Sequence, residues 1–256
     1  MIYILLPAYN EAENIRSLLQ TIDAEALSWA TDKQIEEHPS GVHAVVVNDG
    51  STDATEREAL TYSGTVTTTV ISHETNRGLA AALYTGIVFI LERCRDNDWV
   101  VTLDADGTHH PRYIFQIADR LACGYDIVVA SRYAQGGREV GVRWYRKWLS
   151  HGARTCYRVV FPRWPIHDFS CGFRGMQASI LRNTLNRWND KLFEMPGFTC
   201  TGELMLKMLE FTTTDRVTEI PFELHYEKKG GKSKMPAFKT ILGTLRLIRR
   251  AKKWFR

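Results

Sequence analysis

The most restrictive feature of this sequence is an alternation of short apolar runs with segments whose apolar residues recur at helical spacing. Four runs are strand candidates, at residues 2–6, 42–47, 66–71 and 100–103. Helical spacing is found between them, at residues 12–22 and 79–91. Parallel neighbours in a sheet need long crossover connections, whereas antiparallel neighbours can be joined by tight turns. The alternation therefore predicts an α/β protein with a mostly parallel, Rossmann-like sheet and helices on both faces.

The second half of the chain follows the same pattern less regularly. The spacing predicts helices at residues 111–123, 142–161 and 202–211, and strands at residues 127–130 and 217–226. Residues 162–200 contain several Pro and Gly residues, and no regular element is predicted there. We expect one catalytic domain at 1–227, followed by a basic lid segment and an amphipathic helix at 228–256.

Polar side chains follow several of the predicted strands, at the point where each strand ends. Tyr9 and Glu11 follow the first strand, and Asp49 follows the second. Asp104 and Asp106 follow the fourth strand. The carboxyl ends of parallel strands open onto a shared ligand crevice, so we expect these side chains to converge. Two such carboxylates can hold Mg²⁺ or Mn²⁺ against a nucleotide diphosphate, although a solvated turn explains Asp-x-Asp alone equally well.

The charge of the chain is unevenly distributed. The net charge of +4 combines 33 Lys and Arg with 29 Asp and Glu. Eleven of the basic residues and no acidic residue follow Glu227, so residues 1–227 carry a net charge of −7. This distribution argues against a general nucleic-acid surface and favours a local patch that meets an anionic partner.

Neither a zinc site nor a membrane-spanning segment is expected. The five cysteines are scattered and include no Cys-x-x-Cys pair, which is typical of free thiols in a reducing compartment. No apolar run approaches the roughly 20 residues of a transmembrane helix, so we expect no membrane anchor in this chain. The apolar start lacks the basic flank and cleavage site of a signal peptide, and we interpret it as the first strand.

Seven short segments taken together resemble the family 2 glycosyltransferases with the GT-A fold. Within that family they resemble the polyprenyl-phosphate glycosyltransferases of the dolichyl-phosphate mannose synthase type. The segments run in the family's order and cover nearly the whole chain. They are Pro-Ala-Tyr-Asn-Glu at 7–11, Asn-Asp-Gly-Ser-Thr-Asp at 48–53, Asn-Arg-Gly at 76–78, Asp-Ala-Asp-Gly at 104–107, Ser-Arg-Tyr at 131–133, Asp-Phe-Ser-Cys-Gly-Phe-Arg at 168–174 and Gly-Lys-Ser-Lys at 231–234.

The resemblance implies a metal-dependent, inverting transfer of a sugar from a GDP- or UDP-sugar to a polyprenyl phosphate such as dolichyl or undecaprenyl phosphate. Asp104 and Asp106 match the positions that hold Mg²⁺ or Mn²⁺ against the donor diphosphate. The residues that it assigns to donor or phosphate binding are Pro7, Tyr9, Glu11, Asp49, Arg77, Gly78, Asp104, Arg146, Lys228 and Lys234. Among these, the first four match positions that bind base and ribose. Arg132, with Arg146 and Lys234, matches positions that face phosphate or acceptor.

Three positions depart from the family's pattern. Thr108 stands where such enzymes often have Gln, Cys171 replaces the usual Ser, and Lys228 replaces a common Arg. The last change exchanges a bidentate fork for a point charge, which alters the phosphate grip and not the reaction class. Beside the two acids, His109 and His110 suggest metal ligation, but exposed loop positions or contacts at a helix start are the favoured interpretation.

Glu203 is predicted to take part in catalysis together with Asp106 and Arg132. Many family 2 enzymes carry an acidic general base at a helix start, often within Thr-Glu-Asp, and Thr-Gly-Glu at 201–203 fits that place. A hydroxyl acceptor would need such a base, whereas a phosphate monoester, with a second pKa near about 6, would not. An acid at a helix N-terminus is also favoured by the helix dipole, so Glu203 could equally serve to position other groups.

The chain ends in a basic amphipathic pattern at residues 235–256, where apolar residues recur at helical spacing among Lys and Arg. Such a helix suits the surface of an anionic membrane, where the phosphate of a lipid acceptor would lie. The apolar stripe could equally pack on the enzyme core. Gly230 and Gly231, beside four lysines, form either a turn or a mobile lid over phosphate.

The sequence leaves other functions open beside the preferred one, which is a peripheral enzyme on the cytoplasmic face of a membrane. The first alternative is a family 2 enzyme that acts on a hydroxyl acceptor in a glycan, glycolipid or small molecule. The second is a non-catalytic protein that binds a nucleotide sugar. The donor base, the sugar, and the involvement of a membrane-protein partner or a second copy of the chain are not fixed by the sequence.

Overall fold

The computed structural model describes residues 1–33, 41–142, 144–226 and 237–254, with the backbone only for residues 144–149 and 237–241. The strands are β1 (Ile2–Ala8), β2 (Val42–Asn48), β3 (Thr67–Ser72), β4 (Trp99–Thr102), β5 (Ile127–Ser131), β6 (Arg138–Val140), β7 (Arg174–Gln177), β8 (Val217–Pro221) and β9 (Glu223–His225). Seven of them form one sheet in the order β3-β2-β1-β4-β7-β5-β8. The other two, β6 and β9, pair in a small second sheet.

The helices pack around the large sheet in two groups. They are α1 (Ile15–Asp32), α2 (Thr55–Leu60), α3 (Leu79–Leu91), α4 (Arg112–Ala122), α5 (Trp144–Val160), α6 (Ala178–Trp188), α7 (Thr199–Met208) and α8 (Ala237–Ala251). Helix α1 contacts both α2 and α4, and α3, α6 and α7 contact one another. This layered arrangement confirms the predicted α/β fold, because a sheet buried on both faces needs helices on each side.

The first half of the sheet is parallel, as its sequence predicts. β1 lies between β2 and β4 and is parallel to both, and β2 is parallel to β3. These strands are short apolar runs, and β1, β2 and β4 are largely buried, which is typical of strands covered on both faces. Their carboxyl ends therefore lie at one edge of the sheet, together with the loops that follow them.

The second half contains elements that the sequence pattern did not predict. β7 runs antiparallel to both β4 and β5. Its sequence, Arg-Gly-Met-Gln, lacks the alternation that marks a strand, and it includes Gly175 because a Cβ atom there would lie 2.2 Å from the side chain of Ile117. Together with α6, β7 occupies part of the segment for which the sequence predicted no regular element.

Helix α8 packs against α5 and α7 through one face. Leu247, Ile248 and Ala251 are buried there, whereas Leu242 and Leu245 are about half exposed, at 51% and 47%. The apolar stripe is therefore divided between the enzyme core and the surface. The proposed domain boundary after residue 227 stays a prediction, because residues 227–236 lie outside the described part. No helix of the described chain is long and apolar enough to cross a membrane.

Candidate active site

The loops that follow β1 and β2 are joined by hydrogen bonds at the carboxyl edge of the sheet. The backbone amide of Asn10 donates to Ser51 Oγ at 3.0 Å, and the amide of Thr52 donates to Asn10 Oδ1 at 2.9 Å. The amide of Glu11 donates to Thr55 Oγ1 at 2.8 Å. These bonds hold the segment that contains Tyr9 and Glu11 against the segment that contains Asp49, as the convergence at the strand ends predicted.

Asp49 is buried, and its carboxylate fixes the loop that precedes α3. The backbone amides of Arg77 and Gly78 donate to its two oxygens at 2.9 and 2.8 Å. His73 Nδ1 lies 2.7 Å from Asp49 Oδ1, and its Nε2 lies 2.9 Å from Thr85 Oγ1. The structure thus brings Asp49, Arg77 and Gly78 together. His73 was missed by sequence reasoning, because its isolated position after β3 carries no motif.

Close approach of the backbone explains the glycine in the same turn. Gly50 has a φ of 64°, in the left-handed region that favours glycine. A Cβ atom at this position would lie 2.2 Å from the carbonyl carbon of Thr75. The turn after β2 and the loop before α3 can therefore pack directly against each other.

The two acids after β4 are oriented by their own loop. The amide and the hydroxyl of Thr108 donate to Asp106 Oδ1 at 3.1 and 2.6 Å, and both residues are buried. The amide of Asp104 donates to His109 Nδ1 at 3.1 Å. A Cβ atom at Gly107 would lie 3.6 Å from Asn14 Oδ1, and Asn14 Nδ2 donates to Glu11 at 2.8 Å. The acidic loop therefore lies beside the loop that follows β1.

The two histidines next to these acids make structural contacts. His109 is buried, stacks on Phe173 and meets Phe222 edge-on, with both ring centroids 5.2 Å away. His110 Nδ1 accepts a hydrogen bond from the amide of Arg112, at the start of α4. The preferred interpretation holds for His110, which contacts a helix start, whereas His109 is buried among aromatic rings and is not an exposed loop residue.

The acids fit a divalent cation that shares its ligands with a substrate. Within the described ranges no group of three or more His, Cys, Asp or Glu side chains could hold a metal ion. Asp104 and Asp106 supply carboxylate oxygens, the ligand type that Mg²⁺ prefers. Mg²⁺ is usually bound through one or two carboxylates plus substrate phosphates and water. The donor set therefore fits a cation that binds together with a diphosphate, and not a closed structural metal site.

Arg174 is almost fully buried and braces the segment beside Asp104. Its Nε donates to the carbonyl of Cys171 and its Nη1 to the carbonyl of Thr201, both at 2.9 Å. Burial lowers the pKa of this guanidinium. A cavity of about 10 Å³, room for one water, lies next to it. Its lining includes Pro7, Thr102, Asp104, Gly172, Arg174 and Thr201.

Arg132 follows β5 and is held by two carboxylates. Its Nε and Nη2 donate to Asp168 at 2.7 and 2.8 Å, and its Nη1 donates to Glu139 at 3.1 Å. Burial alone would lower the pKa of Arg132, but Asp168 outweighs burial and raises it. Burial would raise the pKa of Asp168, but Arg132 lowers it. A phosphate that binds Arg132, as predicted, would therefore share its guanidinium with Asp168 and Glu139.

Glu203 is buried inside α7 and all its described contacts are structural. Its Oε2 accepts hydrogen bonds from the amides of Glu194 and Met195 at 2.9 and 2.8 Å. Its Oε1 accepts a hydrogen bond from Lys207 Nζ at 2.7 Å. The i, i+4 spacing of Glu203 and Lys207 was a signal for this ion pair that the sequence analysis did not use. These contacts favour the positioning role over that of a general base.

The remaining predicted residues are described only in part. Arg146 belongs to α5, but its side chain lies outside the described atoms, and so do Lys228 and Lys234 entirely. Thr108 and Cys171, the two described positions that depart from the family pattern, have structural contacts. Thr108 orients Asp106. Cys171 is buried, which raises the pKa of its thiol to about 12, so it is not a nucleophile at neutral pH.

Comparison with solved structures shows the same fold. The chain superimposes on glucosyl-3-phosphoglycerate synthase from Mycobacterium tuberculosis in complex with Mn²⁺, UDP and glucosyl-3-phosphoglycerate, with a TM-score of 0.68 and 18% identity. The match covers 99% of this chain and 80% of that one. A structure of the same enzyme with Mg²⁺ and UDP gives a TM-score of 0.64 at 19% identity, over 97% and 79% of the two chains.

Comparison with curated proteins finds longer relatives of higher identity. The dolichol-phosphate mannosyltransferase of Pyrococcus furiosus is 29% identical over 255 residues, which are 98% of this chain and 63% of the relative. The polyprenol monophosphomannose synthase of Mycolicibacterium smegmatis is 29% identical over 180 residues, 70% of this chain and 62% of the relative. The chain thus spans somewhat less than two thirds of their length. The model of the family described as "Glycosyl transferase family 2" matches residues 3–185. The chain therefore belongs to that family.

Proposed function

We propose that this protein is a metal-dependent, inverting glycosyltransferase that moves a sugar from a GDP- or UDP-sugar to a polyprenyl phosphate. The observation that carries the choice of acceptor is the state of the helix start at 201–203. In family 2 enzymes with hydroxyl acceptors, an acid at this place removes the proton of the attacking hydroxyl. Here the only acid of the Thr-Gly-Glu segment is the buried Glu203.

Glu203 is poorly suited to accept a proton from an acceptor. Its two oxygens receive hydrogen bonds from Lys207 and from two backbone amides, and its side chain is 1% exposed. A general base must lie within hydrogen-bond reach of the proton that it removes. Removal of this carboxylate from its partners would leave the buried ammonium of Lys207 with only the more distant, partly exposed carboxylate of Glu194, at 3.9 Å, which is unfavourable.

Gly202 excludes an acid at the preceding position as well. A Cβ atom at residue 202 would lie 2.6 Å from the hydroxyl of Tyr157 and 3.5 Å from Leu247. A glutamate there, as in Thr-Glu-Asp, would require the buried side chain of Tyr157 on α5 to move away. The helix start therefore supports an acceptor that needs no base, and a phosphate monoester is such an acceptor because its second pKa is near about 6.

The carboxyl edge of the sheet supports the donor side of the reaction. Asp104 and Asp106 would hold Mg²⁺ or Mn²⁺, which supplies positive charge to the departing diphosphate. The loops after β1 and β2 and the Asp49-bound segment at 77–78 would enclose base and ribose. Predicted roles for Arg132, Arg146, Lys228 and Lys234 at the phosphates belong to this proposal. The names of the two curated relatives support a mannosyl donor and a polyprenyl acceptor.

The experiment is a transfer assay with purified protein, labelled GDP-mannose or UDP-glucose, Mn²⁺, and either a polyprenyl phosphate in detergent or a hydroxyl acceptor. We expect a lipid-phosphate-linked sugar and no product with Asp106→Asn. Transfer to a hydroxyl that is lost in Glu203→Gln would contradict the phosphate acceptor. Absence of donor turnover with every acceptor would indicate a nucleotide-sugar-binding protein instead.

Peripheral membrane binding on the cytoplasmic face is the second part of the proposal. Val159 of α5 and Leu242 and Leu245 of α8 are exposed on two helices that contact each other. Arg246, Arg249 and Arg250 of the same helix are exposed too, and exposed apolar and basic side chains on one helix suit an anionic lipid surface. Leu242→Ser with Leu245→Ser should reduce co-sedimentation with anionic vesicles. A matched control is Leu60→Ser, which changes a leucine that is 62% exposed on α2.

A further inference from the structure

Helix α7 contacts both the small cavity beside Asp104 and the C-terminal helix α8. At its start, Thr201 lines the cavity beside Asp104, and its hydroxyl donates to the carbonyl of Ser170 at 3.0 Å. Lys207 lies near the end of the helix, six residues later, which is about 9 Å along the helix axis at 1.5 Å per residue. One rigid element therefore contacts both regions.

Lys207 is enclosed completely, and its ammonium is held by groups from several elements. Nζ donates to Glu203 at 2.7 Å and to the backbone carbonyls of Lys191 and Leu192. The same nitrogen lies 4.4 Å from the ring centroid of Trp188, at the end of α6. It lies 5.1 Å from the ring of Trp254, which follows α8. We call the groups around this ammonium the Lys207 cage; they belong to Trp188, Lys191, Leu192, Glu203 and Trp254.

The buried ammonium of Lys207 is stabilised only when α6, α7 and the segment that follows α8 are all in place. A buried ammonium is strongly unfavourable unless its protons have acceptors and its charge is compensated. Indole rings stabilise a cation over their faces, most strongly where water is excluded. The ring centroids of Trp188 and Trp254 lie 4.9 Å apart, so the end of α8 also contacts the end of α6 directly. The position of α8 is thereby tied to the charge on α7.

Two glycines allow α7 to pack closely against α5 and α8 near the cavity beside Asp104. At Gly202, a Cβ atom would meet the hydroxyl of Tyr157, on α5. At Gly243 of α8, a Cβ atom would lie 2.6 Å from the hydroxyl of Thr199, the first residue of α7. In both contacts the backbone of a glycine lies against a side-chain hydroxyl, with no room for a Cβ atom between them. The first turn of α7, which contains Thr201, is therefore packed closely against α5 and α8, and we expect a displacement of α8 to reach it.

We propose that Lys207 is a positioning residue for the donor site, which acts through α7. The cage holds α8 and the end of α6 in place, and α7 carries that restraint to Thr201. From there the bonds of Thr201 to Ser170 and to Arg174 fix the segment beside Asp104. The inference rests on the proposed function only where turnover is measured, because binding of a nucleotide diphosphate can be measured without an acceptor.

The test compares two cage variants with a control. Trp254→Leu removes a partly exposed indole that follows the last helix, so the fold should survive, and Lys207→Met removes the buried charge. Both should weaken binding of GDP or UDP with Mn²⁺ by about five-fold or more, a usual size for coupling between sites. Tryptic cleavage after the exposed Arg249 and Arg250 should become faster. Asp190→Asn changes an exposed side chain that is not part of the cage and should change neither quantity.

A purely structural role predicts a different result. Lys207→Met and Trp254→Leu would then lower the melting temperature but bind GDP or UDP like the wild type at temperatures well below melting. Wild-type affinity in Trp254→Leu together with faster cleavage of α8 would overturn the proposal, even if Lys207→Met did not fold. Failure of the proposed function would appear separately, as a wild-type protein that binds nucleotide diphosphate and transfers no sugar to polyprenyl phosphate.

Discussion

The strand end at 104–106 and the helix start at 201–203 both carry acids that the sequence assigns to catalysis, and the structure treats them differently. Asp106 is oriented at Oδ1 by the amide and hydroxyl of Thr108, which are neutral donors. Glu203 is paired with an ammonium and two amides within the helical layer. The hydrogen bonds of Thr108 fix the orientation of Asp106, whereas the ammonium of Lys207 also compensates the charge of Glu203. The comparison favours a structural role for Glu203, and the electrostatic role of Asp106 at a bound cation stays our proposal.

Substitution at the strand end should produce the largest loss of activity. Asp106→Asn keeps an oxygen that can accept the hydrogen bonds of Thr108, so the loop should retain its conformation. The lost negative charge weakens the cation that stabilises the departing diphosphate, and removal of one such electrostatic contact typically costs about 10²–10³ in rate. The measurement is the transfer rate as a function of Mn²⁺ concentration. Full turnover of Asp106→Asn at every Mn²⁺ concentration would show that the charge of Asp106 has no role at the cation.

Substitution at the helix start should instead reduce stability. Glu203→Gln leaves the ammonium of Lys207 buried without its counter-charge, and loss of one partner of a buried pair costs about 3 kcal/mol or more. The measurement is the free energy of unfolding in urea. A matched double variant, Glu203→Leu with Lys207→Met, should recover much of the loss because apolar replacements of buried pairs are often neutral.

The pH dependence of turnover separates the two roles of Glu203 further. A general base would give Glu203→Gln a lost or shifted acidic limb in the pH profile of kcat. We expect the folded variant to keep the wild-type profile. A selective loss of that limb, without a loss of stability, would show that Glu203 acts on the acceptor.

Substitution in the ion pair of Arg132 and Asp168, next to β5, should have an intermediate effect on stability. Asp168 is buried and its pKa is held below the ordinary carboxyl value of about 3.9 by Arg132. Its ionised form therefore contributes stability that is fully present above that ordinary value and is lost as the pH falls through the lower, folded-state pKa. Asp168→Asn should cost about 2 kcal/mol at neutral pH, as expected for hydrogen bonds to a charged group.

The measurement for Asp168→Asn is the free energy of unfolding between neutral and acidic pH. The wild-type curve should fall more steeply than that of the variant as the pH drops below about 4. Parallel curves would show that the Arg132–Asp168 pair does not depend on the charge of Asp168. Asp190→Asn is a useful control, since that carboxylate is exposed.

How much of this could be predicted from the sequence depends on how local each contact is. The elements β1, β2 and α3 follow from continuous apolar runs or helical spacing, and their observed bounds differ little from the predicted ones. Asp106 and Thr108 are two residues apart, so their loop could be interpreted as a unit. β7 was missed because Gly175 serves the packing of α4, which lies more than 50 residues away, and not a strand pattern.

The partners of the basic residues were the least predictable part of the site. Arg132 and Asp168 are 36 residues apart, and nothing in either motif indicates that they bind each other. Lys207 lies four residues after Glu203, but its burial depends on Trp188 and Trp254 from two other helices. Sequence motifs therefore located Asp104 and Asp106 correctly at a strand end. The predicted helix start at Glu203 was wrong, because α7 begins at Thr199 and Glu203 is its fifth residue. Only the three-dimensional structure shows that Glu203 pairs with a buried ammonium.

The smallest expected effect comes from the neutral donor that orients Asp106. Thr108→Val keeps the shape of the side chain but removes the hydroxyl, which donates to Asp106 Oδ1 at 2.6 Å, and it leaves the backbone amide bond in place. One hydrogen bond to a charged group contributes about 1.5 kcal/mol or more, so the transfer rate at subsaturating Mn²⁺ should fall by about ten-fold. Thr108→Ser, which restores the hydroxyl, should recover the rate. If Thr108→Val and Thr108→Ser behave alike, the orientation of Asp106 depends on the backbone amide alone, and the strand end holds its acid through main-chain geometry.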